Sequence, residues 1–355
     1  MLPAGPLAWR RGVAVSVRIA LVCSAHGFGH VARELALGRA LLDRGAEVEL
    51  FAAAPPEVVA ETLPEVRLHR VAVDVGIAQP DSLTEDLPAT LALLETRCGE
   101  AAIDALAQAL AGFDRAVVDI APAALEACRR AGVAALAVGN FDWAWIYRQY
   151  PELRGWAERL SAWQAPHPAV QLRPGPPLTG FASVRPMGLL GRVAPAWPLP
   201  TGSVLVSFGG FGLRDLDAAL PSLPGVTWVL APPSPALPRP DCLTLTGVPY
   251  PSLVAGASAV FTKPGYGILA EASLAGTPLL WVARGAFPEA PWLVEAMRAR
   301  GDVEVRARPG TPGFGQALGQ ALAERAARPR PPPARDDTTD RLAEGVLSGA
   351  LYAAP

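Results

Sequence analysis

The stretch Arg18-Ile19-Ala20-Leu21-Val22-Cys23-Ser24-Ala25-His26-Gly27-Phe28-Gly29-His30 decides how the chain is read. Residues 18–23 are an apolar strand, residues 24–30 a turn opened by two glycines, and residues 34–44 carry apolar side chains at helical spacing. A strand that ends in a Gly-rich turn and restarts as a helix points backbone N–H groups into a crevice at the strand's carboxyl end. In an open parallel sheet, ligands bind in that crevice. Two of the chain's four histidines, His26 and His30, stand in this turn.

The same rhythm continues outward. Arg115-Ala116-Val117-Val118-Asp119 is a buried strand ending in a carboxylate, Pro122 opens a helix after it, and residues 133–138 are a strand leading to Asn140. Right-handed crossovers put all strand ends on one rim, so the turn at residues 24–30, Asp119 and Asn140 share it. Residues 89–111 read as one long helix, and an aromatic helix runs from Trp143 through Trp163. After a Pro-rich passage the pattern restarts. Strand 203–207 enters Phe208-Gly209-Gly210-Phe211-Gly212, and strand 259–261 enters Thr262-Lys263-Pro264-Gly265-Tyr266-Gly267, followed by a helix over 268–275.

The sequence thus predicts an α/β chain of two doubly wound domains facing across a cleft. Residues 1–17 are expected to be a disordered extension and residues 18–190 the first domain. Residues 191–202 read as a linker, 203–328 as the second domain, and 329–355 as a Pro/Arg spacer with a terminal helix.

Composition excludes several classes. With 355 residues and a net charge of −2, the chain shows no basic face for nucleic acid. Cys23, Cys98, Cys128 and Cys242 lack metal-ligand spacing, which predicts buried thiols, no metal site and a reducing, cytoplasmic setting. No apolar run approaches the ~20 residues of a membrane span. The aromatic residues from Trp145 to Trp163 leave peripheral membrane contact open. Lysine and asparagine each occur once, as Lys263 and Asn140, and both fall in rim loops.

Those loops carry the candidate chemistry. The two Gly-rich turns of the second half suit a phosphate, because glycine lets backbone N–H groups approach an anion. The P-loop pattern is missing, which disfavours a P-loop kinase. Glu271, placed on the first turn of its helix, either accepts from the two vicinal hydroxyls of a ribose or is a solvated charge. Arg284 and Glu289 leave the next strand at the same rim, as pyrophosphate and sugar contacts or as surface charges. On the first half, a histidine beside a buried carboxylate is a general-base arrangement, with His26 or His30 as base and Asp119 as its partner.

Taken in order, these stretches resemble the GT-B glycosyltransferases. The matching residues are His26-Gly-Phe-Gly-His30-x-x-Arg33, Val118-Asp119-x-x-Pro122, Asn140-Phe-x-Trp143, Phe208-Gly-Gly210 and Lys263-x-Gly-Tyr-Gly267-x-x-x-Glu271, followed by Arg284 and Phe287-x-Glu289. The pattern is most similar to the glycosyltransferase-like N-terminal region of L-arabinokinases and bacterial stand-alone relatives, with Ala25 where that pattern has glycine. Its donor half is similar to the lipid II-forming N-acetylglucosaminyltransferase. No galactokinase-type domain follows, so no sugar kinase activity is implied.

The resemblance implies transfer from a nucleoside-diphosphate sugar, UDP-linked, to an unidentified acceptor hydroxyl, with inversion and without metal or further cofactor. Gly209, Gly210, Lys263, Gly265, Tyr266, Gly267, Glu271, Arg284 and Glu289 would hold the donor, with Glu271 on the ribose. His30, ahead of His26, would be the base and Asp119 its support. Gly29, Arg33, Asn140, Phe141 and Trp143 would meet the acceptor. A non-catalytic sugar-nucleotide-binding module and a sugar-nucleotide 2-epimerase are the alternatives.

Overall fold

The computed structural model describes residues 16–80, 84–209, 220–283, 285 and 287–353. Most of the expected extension, Gly210 and Arg284 lie outside the described residues.

The first half is a seven-stranded parallel sheet made of β1 (Arg18–Cys23), β2 (Glu47–Ala52), β3 (Arg67–Arg70), β4 (Arg115–Asp119), β5 (Ala134–Gly139), β6 (Pro168–Gln171) and β7 (Ser183–Pro186). Its order is β3-β2-β1-β4-β5-β6-β7. The helices around it are α1 (Phe28–Leu42), α2 (Pro56–Ala60), α3 (Leu87–Arg97), α4 (Glu100–Leu110), α5 (Pro122–Ala131), α6 (Trp143–Arg148) and α7 (Arg154–Gln164). β1 is buried on both faces, as a covered parallel sheet requires. Ala20 and Val22 enter one core layer, and Ile19, Leu21 and Cys23 the other.

The second half repeats the plan with β8 (Ser203–Ser207), β9 (Thr227–Leu230), β10 (Cys242–Thr244), β11 (Ala259–Thr262), β12 (Leu279–Trp281) and β13 (Val303–Glu304), in the order β10-β9-β8-β11-β12-β13. Its described helices are α8 (Tyr250–Gly256), α9 (Tyr266–Ala275), α10 (Ala290–Ala299) and α11 (Phe314–Ala326). In each sheet the strand order reverses at a central pair, β1/β4 and β8/β11, and there the strand ends open a crevice. Pairing of Cys23 with Asp119 and of Ser207 with Thr262 sets the four rim loops side by side.

Three local expectations are corrected. α1 begins at Phe28, not near Glu34, because Gly27 alone makes the turn at φ 82° while Gly29 is helical. His30 and Arg33 are therefore helical residues. Residues 89–111 form two helices, parted at Cys98-Gly99. The aromatic helix is broken by a 3-10 turn at Pro151–Leu153, as a proline inside a helix predicts.

Both ends of the described residues are tied down. The Val17 carbonyl accepts from Glu47 N–H at 3.0 Å. In the spacer, Arg330 donates to the carbonyls of Gly276 (2.9 Å) and Ala255 (3.0 Å) in the second half. The last helix, α12 (Thr338–Ser348), then crosses back to the first half, where Leu342, Ala343 and Val346 join the core layer of Leu35 and Leu41. Arg115 holds it there through the carbonyls of Val346 and Leu347, at 2.7 and 2.5 Å. No described helix is long and apolar enough to cross a membrane.

Candidate active site

The first-half rim is built on Asp119, whose exposure is 0%. The chain leaves it through Ile120 at φ 41°, a strained conformation for a β-branched residue and of the kind that collects at functional sites. Arg33, one turn after His30, reaches Asp119 with two nitrogens, Nε to Oδ2 at 3.0 Å and Nη2 to Oδ1 at 2.7 Å. Its Nη1 donates to Oδ1 of Asn140. Asn140 Nδ2 in turn donates to the Pro174 carbonyl at 2.8 Å. Burial pushes the Asp119 carboxyl up, but Arg33 and His30 outweigh it and hold the group below its ordinary range.

His30 Nδ1 lies 2.9 Å from Asp119 Oδ1 and 2.7 Å from Arg33 Nη2. A carboxylate only accepts and a guanidinium only donates, so the position of the imidazole proton selects the partner. With the proton on Nδ1, the bond goes to Asp119. Nε2, which has no partner within the protein, is then a base lining the cleft.

A second layer fixes the turn before α1. Asp74 accepts from Ala25 N–H at 2.7 Å, and burial raises its pKa to about 6. The Tyr147 hydroxyl donates to the Gly76 carbonyl at 2.6 Å. A Cβ on Gly76 would stand 2.6 Å from the His26 ring, so that position requires glycine. Trp143 packs edge-on against His26 at 4.9 Å and donates to Ser24 Oγ at 3.4 Å. Asn140 and Trp143, expected to touch an acceptor, thus stand behind the cleft wall, whereas Phe141, Gly29 and Arg33 belong to the wall. Trp156 and Trp163 both stack on Arg159 at 4.9 Å, against the first-half core, which accounts for this aromatic stretch by packing.

The opposite rim is mostly backbone. Gly209 has φ 70° with open space around it. α9 starts after Gly265 with no side-chain cap and no acidic residue in its first turn, so its leading N–H groups are available to an anion. Lys263, Tyr266 and Glu289 also line the cleft. The rims touch at Gly29 and Gly267, where a Cβ on Gly267 would stand 2.8 Å from Gly29 Cα. Phe141 meets Tyr266 at 5.6 Å and Trp145 meets Trp292 at 5.5 Å between the two halves. The enclosed space is about 200 Å³. Among the described residues, no three His, Cys, Asp or Glu side chains are grouped to hold a metal ion.

Glu271 lies one turn further along α9 than expected, because the helix starts at Tyr266. It is 3% exposed and accepts from Arg192 Nε at 2.7 Å. In the sequence, Arg192 reads only as part of a Pro-rich linker. Gln79 carries no sequence signal either. Both atoms of its amide are buried without a partner, and the residue lines the cleft. Neither residue belongs to a pattern that spacing can reveal.

Two parallel sheets of this order, facing across a cleft, are the GT-B fold of the glycosyltransferases. The spinosyn forosaminyltransferase SpnP superimposes with a TM-score of 0.61 at 16% identity, over 95% of this chain and 100% of that one. The kitacinnamycin glycotransferase gives 0.59 at 19%, over 95% and 99%. Arabidopsis thaliana UGT89C1, solved with UDP, gives 0.58 at 14%, over 94% and 95%. In sequence, the chain is 29% identical to L-arabinokinase of Arabidopsis thaliana over 297 residues, 76% of this chain. It spans 28% of that protein's length. No family model matches the sequence.

Proposed function

We propose that the chain is a glycosyltransferase that moves a sugar from a nucleoside-diphosphate sugar, UDP-linked, to an acceptor hydroxyl. The observation that carries the proposal is the His30–Asp119 pair at 2.9 Å, set across the cleft from the uncapped start of α9. Nε2 of His30 takes the acceptor proton as the acceptor oxygen attacks the anomeric carbon. The bond from that carbon to the diphosphate breaks on the opposite face, so configuration inverts. Asp119 steadies the imidazolium. The electron pair leaves with the diphosphate, whose charge is met by the N–H groups of Gly209 and α9 and by Lys263, with no metal required.

The GT-B fold and the UDP complex of UGT89C1 support this reading. We place the protein in the cytoplasm, a setting favoured by its four free cysteines. The kinase named for the arabinokinase relative is not assigned to this chain.

The test is calorimetry with UDP, GDP and dTDP, paired with product analysis of UDP-sugars over an acceptor panel. Binding of UDP with turnover that vanishes in His30→Ala is expected. Absence of any nucleotide binding would sink the proposal. One observation favours a second reading, a sugar-nucleotide-binding module without turnover. Arg33 occupies both oxygens of Asp119 and shares the charge that would support an imidazolium. UDP binding without product from any acceptor, unchanged in His30→Ala, would select it.

A further inference from the structure

The amide of Gln79 is buried in the wall of the cleft, and neither Oε1 nor Nε2 has a hydrogen-bond partner. The mechanism above does not use it. The backbone leading to it is fixed. In the loop after β3, Val73, Val75 and Ile77 enter the core, Asp74 accepts from Ala25 N–H at 2.7 Å, and the Gly76 carbonyl accepts from the Tyr147 hydroxyl at 2.6 Å. At Ala78 both backbone groups are bonded, the N–H to Thr90 Oγ1 at 2.9 Å and the carbonyl to Asp86 N–H at 2.8 Å. The loop stands on the first-half side, where Gly76 lies against His26. The rims are in contact at Gly29 and Gly267, and solvent does not reach the amide in this closed arrangement.

A sealed amide without partners is costly, and an apolar side chain of the same shape would avoid that cost. A ligand that enters while the halves are apart, and is then enclosed with Gln79, removes it. The amide also dictates what such a ligand must offer, because it holds an acceptor and a donor side by side. A carboxylate or phosphate pairs with Nε2 and leaves Oε1 unpaired. A lone phenol hydroxyl satisfies one atom of the two. A vicinal diol satisfies both, donating to Oε1 from one hydroxyl and accepting from Nε2 with its neighbour. The reaction already requires one hydroxyl at His30, and a polyol carries others next to it.

We propose that Gln79 is a specificity-determining residue that holds a vicinal diol, and that the acceptor is a polyhydroxylated compound, a sugar or cyclic polyol, rather than a single-hydroxyl phenol. This inference rests on the glycosyl-transfer reading of the cleft. The transferred sugar carries diols of the same chemistry. Gln79 stands on the side of His30, where the acceptor binds, and the experiment separates the two sources.

The experiment compares wild type, Gln79→Met and Gln79→Glu. Without ligand, Gln79→Met should melt at the wild-type temperature or up to roughly 4 °C above it, because an unpaired amide has been removed. A clear fall means that the amide braces the loop, and the inference fails. Product analysis with UDP-glucose and UDP-galactose over D-glucose, D-galactose, D-xylose, myo-inositol, phenol and a naphthol should give turnover of a sugar or of inositol. For that acceptor, Gln79→Met should raise KM roughly 5- to 150-fold, the range of two neutral hydrogen bonds, with a smaller change in kcat. Gln79→Glu, which keeps an acceptor but no N–H, should fall between. Removing one hydroxyl of the diol should weaken the acceptor on wild type and change little on Gln79→Met. Turnover of the phenols alone overturns the inference. If Gln79→Met instead weakens UDP-glucose relative to UDP and leaves the acceptor KM alone, the diol belongs to the transferred sugar and the acceptor class falls. Where UDP binds and nothing turns over, saturation-transfer NMR of the same polyols on the UDP-loaded chain decides. Signals that Gln79→Met loses support the inference, and their absence from wild type overturns it. Absence of any nucleotide binding to wild type brings down the functional reading itself.

Discussion

The two halves share a strand order and meet across one cleft, yet they equip it differently. The first-half rim is a knot of buried side chains, with His30, Arg33, Asp119 and Asn140 each bonded to at least one of the others. The second-half rim is mostly glycine and an uncapped helix start, with Lys263, Tyr266 and Glu289 beside them. Proton transfer needs a titratable group of fixed tautomer and position, which only partnered side chains supply. An anion needs only N–H groups pointing one way, which backbone supplies wherever side chains stay small. Damage should therefore read as lost turnover or lost stability on one rim and as lost affinity on the other.

The largest effect is expected from His30→Ala. Transfer should fall roughly 10²- to 10⁴-fold, the usual share of general-base catalysis, while the UDP dissociation constant hardly moves. Product analysis beside calorimetry checks both, and a matching loss of affinity would erase the contrast between the rims. Asp119→Ala should destabilise the fold by about 3–5 kcal/mol in urea unfolding, because Arg33 is left buried without its counter-charge. A change under about 1 kcal/mol would mean that the knot is not a unit.

Asp74 gives a pH-dependent test of the layer behind that rim. Its folded pKa of about 6 lies well above the ordinary range of an aspartate, so the unfolded chain loses this proton first as pH rises. Its contribution is fully present below about pH 4, is lost through about pH 6, and amounts to roughly 3 kcal/mol. Asp74→Asn should remove that slope, which urea unfolding of both proteins at pH 4.5 and 7 measures by difference. A slope equal in the two proteins refutes it.

The smallest effect should fall on the backbone rim. Gly267→Ala favours α9 by up to about 1 kcal/mol through helix propensity but drives a Cβ against Gly29. UDP affinity should drop roughly tenfold, about 1.4 kcal/mol, because the two rims are forced apart. Unchanged affinity would show that contact of the rims is not needed for binding.

Sequence made the fold and much of the rim legible because the informative signals are local. The β1 strand and its turn, Asp119 at a strand end, and Lys263 among glycines are each read within ten residues. Arg33 was visible as a residue, but its bonds to Asp119 and Asn140 cross 86 and 107 positions and depend on the pairing of β1 with β4. The start of α1 is hard to place from sequence because Gly29 looks like a breaker, whereas here it is a helical residue, and it is the missing side chain of Gly267 that lets the two rims approach. Arg192 was hidden by the prolines around it, whose turn chemistry says nothing about what a neighbouring side chain touches in space. Gln79 sits in an irregular loop and had no periodicity to betray it.

The return of α12 to the first half bears on how the molecule is made. A chain still being synthesised, complete only to residue 330, has every strand of the first sheet but not Leu342, Ala343 or Val346, which finish one of its core layers. That apolar face stays uncovered until the whole second half has been produced. Of the two halves, the one made earlier is therefore sealed later, and its interval of exposure to aggregation or chaperone capture lasts for close to half of the synthesis of these residues.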